Sequence, residues 1–503
     1  MIRVRPFAAP LLLAALAACQ PRPAALSPAP APMLAGGVRA AFAAALDSIF
    51  ADSAFAGAWW GVEVRSLDTG ETLYRRNADK LFVPASNMKL VTSAAALEAL
   101  GPDYRYRTAV AATGPVEGGE LRGDLVVYGS GDPTFSARFG GGDARAAFRA
   151  WADSLRAHGV TKIAGRIVGN DDAFDDVPLG RGWAWDDLDA SYSAEIGALE
   201  MNEGFATVRV APGASPGARA TVTLDPPSPY VAVQNLAVTA APATEARVAI
   251  ARRPAGGGIV VSGPVPADTP FVEEEVAIRD NTLFFASVLR ETLREAGIEV
   301  RGGFADADSL GPVPPATPET LFVHRSPPLR DILPGFLKPS QNQLGELLLK
   351  TLGRELRGMG TSGAGIVVVD SLVGAWGLER GKLAQADGSG LSRYDLVAPD
   401  LLIGLLTRMT RSPNFAVYHA ALPVAGVDGT LAARMRETPL RGNVHAKTGT
   451  LSGVRSLSGY LTTAAGERMV FSALVNNHTR TSRDADRLAE AALLRLYQLP
   501  RER

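Results

Sequence analysis

Two hairpin signals at opposite ends of the chain constrain its fold more than any other feature. Near the start, Trp60–Leu67 and Glu71–Tyr74 flank the turn Asp68-Thr69-Gly70; near the end, Arg455–Thr463 and Arg468–Asn476 flank Ala465-Gly466-Glu467. Each pairs two β-prone runs across a short turn that glycine can close. Helical spacing of apolar residues accompanies both: Val38–Phe50 and Pro84–Leu100 on one side, Gln343–Leu356 and Arg483–Leu496 on the other. Pro84 suits a first helical turn and Gly101 a stop. Helices and antiparallel hairpins at both ends predict an α+β fold, not a run of βαβ units. From about Tyr104 to Asp268 the texture changes. Short β-like runs such as Gly123–Tyr128 alternate with Gly, Pro and Asp turns, which reads as an inserted, mostly β module of one or two subdomains. With 503 residues the chain is too long for one ordinary core. The boundaries drawn are 37–103 and 275–503 for the body and 104–274 for the insertion. A helix predicted at Asn281–Ala296 and a loop at Gly311–Pro318 then fall in the body.

The first 36 residues stand apart. Met1–Arg5 is basic, Phe7–Ala18 is an apolar run too short to anchor in a bilayer, and Leu16-Ala17-Ala18-Cys19 follows. Cys19 is the sole cysteine, so an internal disulfide and cysteine-cluster metal sites are excluded. Its position resembles the bacterial lipobox, which implies that 1–19 is a lipoprotein signal peptide and Cys19 a lipidated N-terminus; the plainer reading is an ordinary cleaved secretory signal. Both put the mature protein outside the cytoplasm, in the periplasm or cell envelope. Gln20 after Cys19 favours an outer-membrane anchor. Residues 20–36, rich in proline and alanine, read as a tether. The net charge of -1 offers no basic field for nucleic acid.

Three short motifs carry chemistry. In Ser86-Asn87-Met88-Lys89, positions i and i+3 of a helix share a face, so a lysine nitrogen reaches a serine hydroxyl. A neutral lysine there takes the proton as Ser86 attacks a carbonyl. Ser86 is expected in the first helical turn, where unpaired N–H groups favour an oxyanion. Burial and the nearby Lys447 are both expected to disfavour the charged form of Lys89. Ser340-Gln341-Asn342 supplies a second hydroxyl and an amide. Ser412-Pro413-Asn414 has the same pattern, but Ser340 stands between Pro339 and a strong amphipathic helix, a place from which a loop presents side chains into a cleft. Lys447-Thr448-Gly449-Thr450 reads as an edge strand: Lys447 attracts a carboxylate, Thr448 or Thr450 hydrogen-bonds it, and Gly449 leaves room for a substrate backbone. Singly, each motif also has a plain reading as a helix face, a cap or a polar edge.

Taken together, in this order and in a secreted chain, the three motifs resemble those of β-lactamases and penicillin-binding proteins. About 250 residues separate Lys89 from Ser340, and this large insertion is similar to that of the class C low-molecular-mass penicillin-binding proteins, the D-Ala-D-Ala carboxypeptidase/endopeptidase family. Gly129–Thr134, Gly182–Asp187, Asp387–Arg393 and Gly429–Leu431 look like further family segments. The resemblance implies a β-lactamase/transpeptidase-like body, peptidoglycan peptides as substrates and covalent capture of β-lactams. It implies Ser86 as nucleophile, Lys89 as base, and Ser340 with Lys447 as proton shuttle. Asn342 would hold the substrate, Thr448 and Thr450 its carboxylate, and the N–H groups of Ser86 and Thr450 the oxyanion. Asp187, Tyr192 and Arg393 look like the positions that meet a diaminopimelate side chain, a zwitterion that needs an anion and a cation placed apart. No cofactor or metal is implied.

Other patterns lead elsewhere. Gly213-Ala214-Ser215-Pro216-Gly217 lacks the strand-to-helix setting of an esterase elbow. The five histidines lack metal spacing, and His445 is expected on the opposite side of its strand from the third motif. Trp183 and Trp185 read as packing, or as the lining of a glycan-peptide groove. Two rival functions stay open on sequence: a β-lactamase, and a non-catalytic cell-wall-binding lipoprotein.

Overall fold

The computed structural model describes residues 36–253, 258–310 and 319–500. The signal segment with Cys19, all but the last residue of the tether and the loop 311–318 lie outside them.

The two hairpins come together as one sheet. Its order is Thr72–Arg76, Trp59–Ser66, Arg468–Asn476, Val454–Thr462 and His445–Leu451, antiparallel throughout. Trp59 pairs with Asn476 and Ser66 with Met469, so the chain ends are stitched by direct ladder pairing. Both faces of this sheet are covered, which is why Arg468–Asn476 reads as a nearly continuous apolar run. Phe471 and Val475 pack beneath the helices Gly36–Phe50 and Ser482–Tyr497, against Phe42, Leu46, Leu493 and Leu496. Val470 and Leu474 point the other way. They join the helices Met88–Leu100, Gln343–Arg357 and Pro399–Met409 through Leu90, Leu348 and Leu402.

The insertion is wider than its β texture announced. Strand Arg107–Ala112 pairs antiparallel with Glu319–Arg325 on one side and with Leu125–Tyr128 on the other, and Ile167–Asn170 and Phe304–Asp306 extend the five-stranded sheet parallel to Leu125–Tyr128. The helices Ala146–Ala157 and Asn281–Glu295 serve as its crossovers. Phe284, Phe285 and Leu289 of the second helix share a core with Phe135, Phe148 and Trp151, where Phe148 and Phe285 meet edge to face at 4.8 Å. The helix assigned from sequence to the body therefore belongs to the inserted module, whose chain returns only after Arg325. Its apolar stripe is the physical reason: it buries against module strands. The module also holds two three-stranded sheets, one built on Phe205–Ala211 and the other on Ile259–Pro266, and a four-stranded sheet of the short strands Glu299–Val300, Lys162–Ile163, Glu120–Leu121 and Val116–Glu117.

Candidate active site

The serine stands at a break in helical geometry. Ala85, fully buried, takes a positive φ of 47°, and Ala85–Asn87 form a 3₁₀ turn before the α-helix begins at Met88. Ser86 thus precedes the first α-helical turn instead of lying in it. A positive φ at a residue with a Cβ persists only where surroundings over-determine it, and they do. Asn87 Nδ2 donates to the Lys447 carbonyl at 2.9 Å, and Ser456 Oγ donates to the Pro84 carbonyl at 2.7 Å. Gly390, at φ 82°, lies so close that a Cβ there would stand 1.9 Å from the Ala85 oxygen.

Lys89 is wholly buried, and its Nζ has three neighbours: Ser86 Oγ at 2.8 Å, Asn342 Oδ1 at 2.6 Å and the Ser389 carbonyl at 2.7 Å. Two of these are pure acceptors and the third is a hydroxyl. A neutral amine, with two N–H donors and one lone pair, satisfies all three and directs its lone pair at the Ser86 proton. Burial pushes the amine down to about 7, against the opposing pull of Asp387, Glu346 and Asp395. Lys447 does not enter as a cause of that shift. It is itself held well below the ordinary lysine range, first by burial and then by Lys89 and Arg455. Glu346, equally buried and beside Asp387, is pushed up to about 8. Burial favours a neutral acid next to a neutral amine.

The second motif arrives on a sharp bend. Ser340 takes φ 66° after helix Leu329–Leu337, and Asn342 sits at the start of helix Gln343–Arg357. Lys447 Nζ donates to Ser340 Oγ at 2.8 Å and to the Thr448 carbonyl at 2.9 Å. Asn342 is held at both ends, accepting from Lys89 and donating Nδ2 to the Tyr192 carbonyl at 2.8 Å.

The third motif occupies the edge strand His445–Leu451. Gly449 packs onto the serine turn: a Cβ there would stand 2.2 Å from Ser456 Oγ, 2.8 Å from the Pro84 oxygen and 2.9 Å from the Ser86 nitrogen. Thr448 Oγ1 donates to Thr430 Oγ1 at 2.7 Å, and the Thr450 hydroxyl is met by the Arg455 guanidinium. His445, two residues before Lys447, shares its face of the strand and not the opposite one, but it lies outside the cleft and stacks on His419 at 4.0 Å.

The three motifs open on one cleft of about 570 Å³, lined by Ser86, Ser340, Asn342, Thr448 and Thr450 together with Asp187 and Tyr192. The last two come from a module segment that docks along helix Gln343–Arg357. Lys350 ion-pairs with Asp175 at 2.7 Å, and Gln343 Nε2 donates to the Ser191 carbonyl at 2.9 Å. Tyr192 donates its hydroxyl to Asp187 at 2.6 Å. Arg393 stands at the rim, donating to the carbonyl of Ser452, a cleft-lining residue, at 2.7 Å. Trp183 packs against Phe174 and Leu347, while Trp185 is 84% exposed. Ser412 and Asn414 are elsewhere, just before the helix Phe415–Ala421, and bonded to Glu98. Gly213–Gly217 is a turn between two module strands. Sequence reasoning missed Glu346, and it reached Asp387 and Thr430 only as members of the segments Asp387–Arg393 and Gly429–Leu431, with no role for either. The Asp-Gly-Ser-Gly run at 387–390 signals a turn, but only the tertiary fold reveals that the turn cradles Lys89.

Residues 42–497 match the D-Ala-D-Ala carboxypeptidase 3 (S13) family. A D-alanyl-D-alanine carboxypeptidase of Actinomadura sp. strain R39 is 39% identical over 449 residues, covering 86% of this chain and 80% of that protein. The D-alanyl-D-alanine carboxypeptidase DacB of Haemophilus influenzae is 27% identical, covering 83% and 85%. The crystal structure of penicillin-binding protein 4 from Haemophilus influenzae superposes with a TM-score of 0.77 at 25% identity over 90% of this chain and 99% of that one. The same Haemophilus protein is also known in complex with a β-lactam, with a TM-score of 0.71 at 24% identity. The chain therefore belongs to the D-Ala-D-Ala carboxypeptidase 3 (S13) family, serine-type hydrolases with the fold of the penicillin-binding proteins.

Proposed function

We propose that the protein removes the terminal D-alanine from peptidoglycan stem peptides through an acyl-enzyme on Ser86, cuts D-Ala-linked cross-links through the same intermediate, and is acylated by penicillins. The observation that carries this reading is the pair of lysine–serine contacts, Lys89 to Ser86 and Lys447 to Ser340, each at 2.8 Å, in one cleft. Neutral Lys89 takes the Ser86 proton as Oγ bonds to the carbonyl of the penultimate D-alanine. The N–H groups of Ser86 and Thr450 receive the developing oxyanion. As the C–N bond breaks, Ser340, backed by Lys447, delivers a proton to the leaving amine and takes up the one that Lys89 accepted from Ser86, which leaves Lys89 neutral again. Thr448 and Thr450 hold the terminal carboxylate, and Asn342 orients the peptide. Water, deprotonated by the same lysine, then cleaves the ester and regenerates Ser86.

Asp187, hydrogen-bonded to Tyr192, and Arg393 across the rim supply an anion and a cation for a zwitterionic side chain. The charge pattern and lone cysteine of residues 1–19 support export and lipidation at Cys19, which places the enzyme in the periplasm or cell envelope, most consistently on the outer membrane. Release of D-alanine from a stem peptide ending in D-Ala-D-Ala tests the reading. The protein should release it and Ser86→Ala should not; release by both would refute the assignment of the nucleophile.

A further inference from the structure

Asp387 is fully buried and is not among the residues lining the cleft, yet four N–H groups converge on its carboxylate. Oδ1 accepts from Ser389 at 3.1 Å and Gly390 at 2.6 Å; Oδ2 accepts from Ser392 at 2.7 Å and from the indole of Trp183 at 2.9 Å. The turn so closed has two contacts with the reacting groups. The Ser389 carbonyl takes one hydrogen of Lys89 at 2.7 Å, and Gly390 lies flush against the Ala85 carbonyl behind Ser86. Its rear is fixed as well, because Thr92 Oγ1 donates to the Gly388 carbonyl at 2.7 Å and Glu346 accepts the Gly388 N–H at 3.0 Å. Trp183, the fourth donor, belongs to the inserted module and lies four residues before Asp187.

We propose that Asp387 is a positioning residue that holds the Ser389 carbonyl on Lys89 and, through Trp183, ties this turn to the module loop that carries Asp187 and Tyr192. The assignment rests on the Ser86 acyl-enzyme reading. Only a carboxylate meets the requirement, because its two oxygens accept all four donors, whereas an amide turns an NH₂ toward one of the two donor pairs and strands it. The charged and titratable groups facing Lys89 are Asp387 and Asp395 on this turn, Glu346 on the helix Gln343–Arg357, and Lys447 on the edge strand. Of the carboxylates, Asp387 favours the charged amine most.

The test is the rate of penicillin acylation from pH 5 to 9, normalised to active sites titrated by intact mass, for wild type, Asp387→Asn and Trp183→Phe, with thermal melts alongside. Asp387→Asn should acylate about tenfold to a hundredfold more slowly, since two buried donors lose their partner, and its acid limb should move to lower pH because a charge that held the proton on Lys89 is gone. Trp183→Phe removes one donor and no charge. Its acid limb should stay in place, and kcat/KM for a stem peptide should fall more than β-lactam acylation does. An Asp387→Asn protein with a lower melting temperature and an unmoved acid limb has lost only structure, and that result overturns the positioning role. Equal losses on both substrates in Trp183→Phe overturn the tie to the module. A wild type that forms no adduct at Ser86 overturns the underlying reading too, and is distinguished by its identity with Ser86→Ala.

Discussion

Lowering the pH from 8 to 5 should slow acylation of Ser86 about a hundredfold. The perturbation acts on one proton. Lys89 Nζ is buried among an amide oxygen, a backbone carbonyl and the Ser86 hydroxyl, and it titrates at about 7. The competent base is the neutral amine, so the rate follows the deprotonated fraction: roughly nine-tenths at pH 8, about half at 7 and about a hundredth at 5. Above pH 8 little remains to be gained. An ordinary lysine, titrating near 10.5, would still be gaining tenfold per pH unit there. Stopped-flow acylation with a fluorescent penicillin measures this, provided the substrate has no titration in the range. A flat profile between pH 5 and 9, or one still climbing above 9, would refute the reasoning. The same displacement bears on stability. The folded-state value lies below the unfolded one, so between about pH 7 and 10.5 the unfolded chain binds the extra proton, and the contribution of Lys89 to stability rises with pH across that window by up to about 5 kcal/mol.

Asn342→Asp places a carboxylate where Lys89 now meets an amide oxygen; it should favour the charged amine and move the acid limb of the acylation profile to higher pH, measured in the same assay. Gly449→Ala drives a methyl group into Ser456 and the Pro84–Ser86 backbone, so acylation should fall by about a hundredfold or more and the melting temperature should drop, consistent with overpacking worth about 1–3 kcal/mol. Replacing Asp187 and Arg393 together by alanine should lower kcat/KM for a stem peptide bearing a zwitterionic side chain by about tenfold or more while leaving penicillin acylation within about threefold of wild type. An equal loss on both would mean that these residues support the fold and not the substrate.

Much of this architecture was legible in the sequence because it depends on local rules. The hairpin turns at Asp68–Gly70 and Ala465–Glu467 form where turn chemistry puts them, and the chain ends then pair into one sheet. The motif spacings carry over as well: Lys89 meets Ser86 because i and i+3 share a helical face, and Ser340 reaches Lys447 from the loop before its helix. What sequence could not supply is long-range. The helix Asn281–Glu295 looks like any amphipathic helix until the strands it buries against are known, which is why the module extends past it. Ser86 was expected inside the helix, but Ala85 at positive φ breaks the geometry just ahead of it, a conformation imposed by the strand and turn packed behind. The buried acids Asp387, Glu346 and Asp395 lie far from Lys89 in sequence, and nothing local announces that they oppose its deprotonation.

The central claim is that Ser86 is the group acylated. Intact mass after incubation of the soluble body with benzylpenicillin, beside Ser86→Ala, tests it most directly. One lasting adduct on the wild type, mapped to the Ser86 peptide and missing from the variant, is the result predicted. Intact drug and an unmodified protein would contradict it in favour of a binding role, and rapid drug hydrolysis without a lasting adduct would contradict it in favour of a β-lactamase.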